Sequence, residues 1–234
     1  MEKWVVTAKK ADFQGIGRKY GIDPVIARII RNRDITGDEA IEEYLNGTLA
    51  DIPSWKLLKD IDKAVEIISG KIDAGTKMRI IGDYDIDGVT ATYILLKGFK
   101  RLGANVDTYI PDRVADGYGI HDHLIKKAME DGIDTIVTCD NGISASSQIT
   151  YAKELGMTVV VTDHHEVPFT DNEEGRTYIL PPADAIINPK QADCTYPNKN
   201  ICGAVVAMKL VFALYEKYRL PEEEKEDFLE PAAI

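Results

Sequence analysis

The sequence predicts an α/β fold, a mostly parallel sheet of about five strands flanked by helices, with a helical N-terminal segment ahead of it. Three observations carry that prediction. From Lys77 onward, short apolar runs alternate with longer amphipathic stretches, the pattern of a parallel sheet covered on both faces. Before Lys77 the chain carries helix-capping residues and no such runs. Acidic or imidazole residues follow each of the first four apolar runs, where an open parallel sheet presents its ligand-binding edge.

Taken in order, Asp23-Pro24 is a cap and first-turn pair ahead of Val25 to Ile30, and Thr36-Gly37-Asp38 opens a second helix through Tyr44. A third helix runs from about Lys59 to Ile72 and ends at Ala74-Gly75. Strands are expected at about 77–83, 106–110, 134–139, 158–162 and 185–188, with helices near 88–102, 121–131, 143–155 and 202–219. Residues 166–184, EVPFTDNEEGRTYILPPAD, read as a polar, proline-containing loop long enough to be a lid or a surface excursion. The tail from Pro221 to Ile234 starts a charged helix without a terminating signal, so a chain cut within an element is expected. The expected organisation is a helical segment over 1–75, an α/β domain over 76–220 and the start of a connecting helix over 221–234.

Composition narrows the function classes. A net charge of −11 argues against a protein that coats nucleic acid nonspecifically, although not against one that grips a few phosphates locally. Hydrophobic residues at 44% and charged residues at 29% suit a soluble globular protein, and no run approaches the length of a membrane span. Met1-Glu2-Lys3-Trp4 lacks a secretory pattern, so a cytoplasmic location without membrane association is expected. Cys139, Cys194 and Cys202 are odd in number and lack metal-ligand spacing; they read as reduced and mostly buried. The clusters Arg28, Arg31, Arg33 and Lys97, Lys100, Arg101 read as solvated helix faces.

The stretch DYDIDG at 83–88 opens like a calcium-binding loop, but its twelfth position is Ile94 in place of a bidentate Glu, and a strand precedes it. Three crowded carboxylates still repel one another unless a cation or a strong donor set offsets them. Other strand ends add to the charge: Pro111-Asp112-Arg113 with Asp116, then Cys139-Asp140-Asn141-Gly142, then Thr162-Asp163-His164-His165. Carboxylates mixed with imidazole suit manganese or magnesium, and a carboxylate shared by two ions is what two-metal phosphoryl transfer requires. DYDIDG is therefore expected to be half of a dinuclear site. Arg113 reads equally as a phosphate contact or a salt-bridge residue. Gly203 opens an apolar helix, where its amide could approach a phosphate or its missing side chain could permit close packing. Gly117 and Gly119 serve the turn around Tyr118, Cys139 reads as core, and His121 and His123 read as surface residues at a helix start.

DYDIDGVTA at 83–91, PDRVADGYGI at 111–120, CDNGIS at 139–144, TDHH at 162–165, INPK at 187–190 and CGAVVA at 202–207 resemble, in order, the motifs of the DHH phosphoesterase superfamily, and most closely its bacterial single-strand-specific exonucleases. Glu2-Lys3-Trp4 and the helical N-terminal segment are similar as well. The resemblance implies that Asp85 and Asp87 are metal ligands, that Asp140 bridges two ions and that His164 is a further ligand. Asp83, Asp163 and His165 are implied as ligands or supporting groups; alternation along an extended segment argues against Asp163, His164 and His165 all facing one ion. His165 is also a candidate for the substrate phosphate, with Arg113 and Gly203. The implied catalytic set is Asp85, Asp87, Asp140, His164 and His165.

By the same resemblance, two Mn2+ or Mg2+ ions in the complete enzyme would serve 5′ to 3′ hydrolysis of single-stranded DNA in repair and recombination, with a single-strand-binding protein or helicase as partner. Relatives carry a further metal-binding Asp, a second small domain and often an oligonucleotide-binding fold downstream, so these 234 residues are expected to have an incomplete metal shell and little activity alone. Some relatives also have a His four residues before the position of Asp85, where Ile81 stands here. Two rivals are a DHH pyrophosphatase or dinucleotide phosphodiesterase and a noncatalytic scaffold that keeps the fold.

Overall fold

The computed structural model describes residues 9–172 and 175–233; Glu2-Lys3-Trp4 lies outside them. The chain divides into two compact units, residues 1–53 and 54–234, each described here by itself. The first holds α1 (Phe13–Tyr20), α2 (Pro24–Asn32) and α3 (Asp38–Asn46). Asp12 caps α1 through the Gly15 amide, and Asp23 caps α2 through the Val25 amide with Pro24 in the first turn.

The second unit begins with a short 3-10 turn (Trp55–Leu57) and α4 (Ile61–Asp73), which packs on the last sheet strand and on a later helix. The sequence placed α4 with the N-terminal segment; its buried Ile61, Ala64, Val65, Ile68 and Ile72 place it in the sheet unit. The elements that follow are β1 (Met78–Ile81), α5 (Ile86–Arg101), β2 (Val106–Tyr109), α6 (Asp122–Glu130), β3 (Thr135–Cys139), α7 (Ser146–Glu154) and β4 (Thr158–Thr162). The rest are β5 (Phe169–Asn172), β6 (Gly175–Tyr178), β7 (Ala185–Ile187), α8 (Gly203–Lys217) and the short α9 (Leu229–Ala232).

Five parallel strands form one sheet in the order β2-β1-β3-β4-β7. The central strands β1 and β3 are buried at every position, which is why they read as mostly apolar runs; the one charged residue, Arg79, pairs with Asp107 and Asp131. Chain order reverses between β1 and β3, and in such sheets the crevice beyond the strand carboxyl ends at that switch point is where ligands bind. The predicted fold class is the observed one.

Two segments differ from expectation. Within 166–184, β5 and β6 pair antiparallel, Phe169 opposite Tyr178 and Asp171 opposite Arg176. All the described ribbon residues are exposed, so no apolar alternation announces the strands. The tail forms a 3-10 stretch, Glu222–Phe228, before α9, because Phe228 is buried edge-on against Tyr215. Glu224 and Asp227 on that tail pair with Arg101 and Lys97, so two members of that basic cluster are neutralised within the unit. No helix among the described residues is long and apolar enough to cross a membrane.

Candidate metal centre

The loop after β1 carries the first carboxylates. Asp83 is buried, 2% exposed, and its Oδ1 has no hydrogen-bond partner among the described residues. Burial raises its pKa, with the nearby Asp85 charge adding to the effect. Gly88 is required by this geometry: a Cβ there would stand 2.6 Å from the Asp83 Cβ and 2.6 Å from its carbonyl oxygen. Asp85 caps α5, accepting from the Gly88 amide at 2.9 Å, and is exposed. An N-cap carboxylate uses one oxygen for the helix and keeps acceptor capacity for another group.

Asp87 sits in the first turn of α5 and reaches across to α8. Its two oxygens accept from the amides of Gly203 and Ala204, both at 2.7 Å, and its Oδ2 lies 3.3 Å from the His164 Nε2. The Gly203 amide, read from sequence as one that could approach a phosphate, is thus directed at Asp87. The other reading of Gly203, close packing, is what its surroundings require: a Cβ there would lie 2.8 Å from the Asp140 Oδ1.

Asp140 follows β3 in the left-handed backbone region, φ 59°, which Asp adopts more readily than most residues. It is 1% exposed. The His164 Nε2 lies 2.9 Å from its Oδ1, but the pair is not aligned as a hydrogen bond, and this buried oxygen has no properly directed donor. Burial lifts the Asp140 pKa to about 6, with His164 opposing and Asp87 and Asp85 reinforcing the shift. Proximity to Asp140 raises the pKa of His164 in turn.

Asp163, at the end of β4, was a candidate ligand and is placed differently. It is 1% exposed and filled by donors: Oδ1 accepts from the His164 amide at 2.7 Å, the His165 amide at 3.1 Å and the His165 Nδ1 at 2.7 Å. Its Oδ2 accepts from the Ile143 amide at 2.9 Å. Burial works to raise its pKa, but His165 and these amides outweigh it and hold the carboxyl below its usual range. Asp163 fixes the His165 ring and leaves Nε2 as the nitrogen it does not engage. The Asn188 Nδ2 donates to the His165 carbonyl at 3.0 Å, tying the β7 end to the same turn.

Two groups of side chains have ligand atoms within 4.8 Å of one another: Asp83, Asp85 and Asp140; and Asp140, His164 and His165. Asp140 belongs to both. Asp87 belongs to neither, although it touches His164. Two of the buried oxygens without aligned donors are carboxylate oxygens of this cluster, on Asp83 and Asp140, and they fit a divalent cation better than an empty carboxylate cluster.

Arg113 stacks over Tyr84 at 5.3 Å, and no carboxylate among the described residues pairs with it, so the salt-bridge reading does not hold. Cys139 is core, its thiol pushed up to about 12 by burial. His123 matches its surface reading and pairs with Asp116 at 2.8 Å; His121 is half-buried, and its Nε2 is sequestered without a partner. Sequence reasoning missed the α8 amides as the seat of Asp87. The available signal is CGAVV, small residues opening an apolar helix with no side-chain cap of its own, so that its first amides need an acceptor from elsewhere.

A parallel sheet that gathers aspartates and histidines beyond adjacent strand ends defines the class. The family model for the DHH family, N-terminal domain, matches residues 77–234, and the chain belongs to that family. The single-stranded-DNA-specific exonuclease RecJ of Escherichia coli is 37% identical over 194 residues, covering 82% of this chain and 31% of that protein. A crystal structure of exonuclease RecJ bound to manganese superposes with a TM-score of 0.62 at 32% identity, over 73% of this chain and 41% of the other. RecJ of Thermus thermophilus in complex with Mg2+ gives 0.53 at 25% identity, over 92% and 25%. The chain spans about a third of the length of the curated relatives it matches.

Proposed function

We propose that this chain is the metal-binding catalytic part of a phosphodiesterase that hydrolyses single-stranded DNA from its 5′ end. The observation that carries the reading is Asp140, a buried carboxylate common to two candidate ligand groups, one of whose oxygens has no aligned donor. RecJ relatives support the substrate class, and their complexes with manganese and magnesium support the choice of cation.

Asp83 and Asp85 would hold one ion and His164 the other, with Asp140 shared between them; Asp87 is held against His164 by the α8 amides and would complete the set. When bound, two divalent ions activate a water and neutralise charge developing on the phosphate. Asp163 keeps the His165 Nδ1 occupied, which orients the ring so that Nε2 is the nitrogen offered to a substrate phosphate or an ion. Arg113, stacked on Tyr84 and not tied to a carboxylate, would supply a positive charge for a neighbouring phosphate in a chain whose net charge is −11.

A calorimetric Mn2+ titration beside Asp140→Asn tests the reading, because Asn tolerates the left-handed backbone while removing the charge. Binding by the parent and a loss of at least 100-fold in the variant is expected. Equal affinity in a folded variant refutes the shared-ligand role. Digestion of 5′-labelled single strands with Mn2+, in competition with pyrophosphate and a dinucleotide, then tests the substrate class.

A further inference from the structure

The N-terminal helical unit carries a surface that the metal centre does not use. Residues 9–33 hold seven basic side chains and two acidic ones, Asp12 and Asp23, in a chain whose net charge is −11. Both acids serve as helix caps, and Lys9, Lys19 and Arg31 pair with Asp34 or Asp38. Arg28 and Arg33 pair with no carboxylate among the described residues; Arg28 stacks over the Phe13 ring at 4.9 Å. Between α1 and α2, a groove of about 670 Å³ is lined by Phe13, Gln14, Pro24, Val25 and Arg28. The α2 side of it continues along that helix, where Val25, Arg28, Ile29 and Asn32 recur at helical spacing with Ile26 and Arg33 beside them. Val25 is 63% exposed, and Ile26 and Ile29 are 43% exposed. Adjacent exposed aliphatic side chains rimmed by charge mark an interaction surface, whereas scattered ones do not.

We propose that the α1–α2 hairpin is a docking surface for an acidic amphipathic helix of another protein. The apolar stripe of that helix would lie on Phe13, Val25, Ile26 and Ile29, and its carboxylates would meet Arg28 and Arg33. The stripe from Val25 to Asn32 covers two helical turns, about 10 Å, which suits an elongated ligand better than a compact one. A helix laid into an apolar groove, anchored by side chains three and four apart, is a recurring mode of recognition that fits such a stripe. The sign of the partner follows from Arg28 and Arg33, which an acidic segment neutralises and a basic one repels. A nucleic-acid strand would meet the same cations, but it would leave Val25, Ile26 and Ile29 in water. It would also lack a stacking platform, because the groove's one aromatic ring, Phe13, is already stacked by Arg28. The assignment is independent of the phosphodiesterase reading.

Fluorescence anisotropy of the 234-residue chain tests this with a labelled helical peptide of Leu and Glu, its leucines three and four apart. The same peptide with Lys in place of Glu and an oligothymidylate serve as the other probes. The acidic peptide is expected to bind, and the lysine peptide about tenfold more weakly or worse. Arg28→Glu and Ile29→Ser change exposed positions, so circular dichroism should show both folded, and each should weaken the acidic peptide about tenfold. High salt should shrink the effect of Arg28→Glu and leave that of Ile29→Ser in place. No binding by the parent overturns the proposal, as does unchanged affinity in both folded variants or equal binding of the two peptides. An oligothymidylate that displaces the peptide, and whose binding is lost in Arg28→Glu but kept in Ile29→Ser, would make this face a nucleic-acid contact instead. Self-association of the chain that Ile29→Ser abolishes would make the occupant a second copy and equally overturn it.

Discussion

Asp140 and Asp163 end adjacent strands, are each 1% exposed and sit in opposite electrostatic conditions. Asp163 receives four protein donors and its pKa is held low; Asp140 has a buried oxygen with no aligned donor, and its pKa is pushed up to about 6. Equal burial therefore says little about role. What separates a carboxylate that organises its surroundings from one that awaits a cation is the number of donors the protein itself supplies.

The sharpest way to break this comparison is urea unfolding without metal. Asp163→Ala leaves three amides and a histidine without their shared acceptor and should cost about 3 kcal/mol or more. Asp140→Asn removes an ill-solvated charge and should leave stability unchanged or raise it. Similar losses in the two variants would mean that Asp140 has donors after all.

Adding Mn2+ should reverse the ranking. At a hundredfold excess over its dissociation constant, the ion is expected to stabilise the parent by about 2.7 kcal/mol, and Asp140→Asn not measurably. Asp163→Asn, with affinity weakened about tenfold, should keep about 1.4 kcal/mol of the effect at the same concentration if its carboxylate orients the histidines and does not touch the ion. A complete loss of Mn2+ binding in a folded Asp163→Asn would instead make it a ligand.

Much of this contrast was legible in the sequence at the level of place and not of role. The strand ends announce themselves because β1, β3 and β4 are mostly apolar runs followed by aspartate, directly after β3 and β4 and one residue on after β1. Alternation argues that Asp163, His164 and His165 do not all face one ion, and Asp163 lies outside both groups of close ligand atoms; alternation cannot say which of the three turns inward, since that depends on the Ile143 amide from the neighbouring loop. Asp87 shows the same limit: its partners lie more than a hundred residues away on α8, and an acidic residue in a first helical turn reads as an ordinary dipole partner. The β5–β6 ribbon was missed for a different reason, because strands exposed on both faces leave no period-two signal.

A buried cation gives the smallest expected effect, and it tests the cost of burial alone. Lys209 on α8 is 3% exposed, its ammonium 5.5 Å from the Tyr196 ring, and burial drives its pKa down to about 8 from the usual 10.5. A depressed folded-state pKa means that, between those values, the unfolded chain binds more protons than the folded one. Its contribution is therefore most favourable above pH 10.5 and is lost as pH falls toward 8, below which the cost of burying the charge is constant. Denaturation of the parent should show a Lys209-dependent rise in stability over this window, and Lys209→Met, which keeps the stem and deletes the charge, should flatten it. The difference between parent and variant cancels the other groups that titrate there. An unchanged slope in Lys209→Met would show that burial does not depress this ammonium.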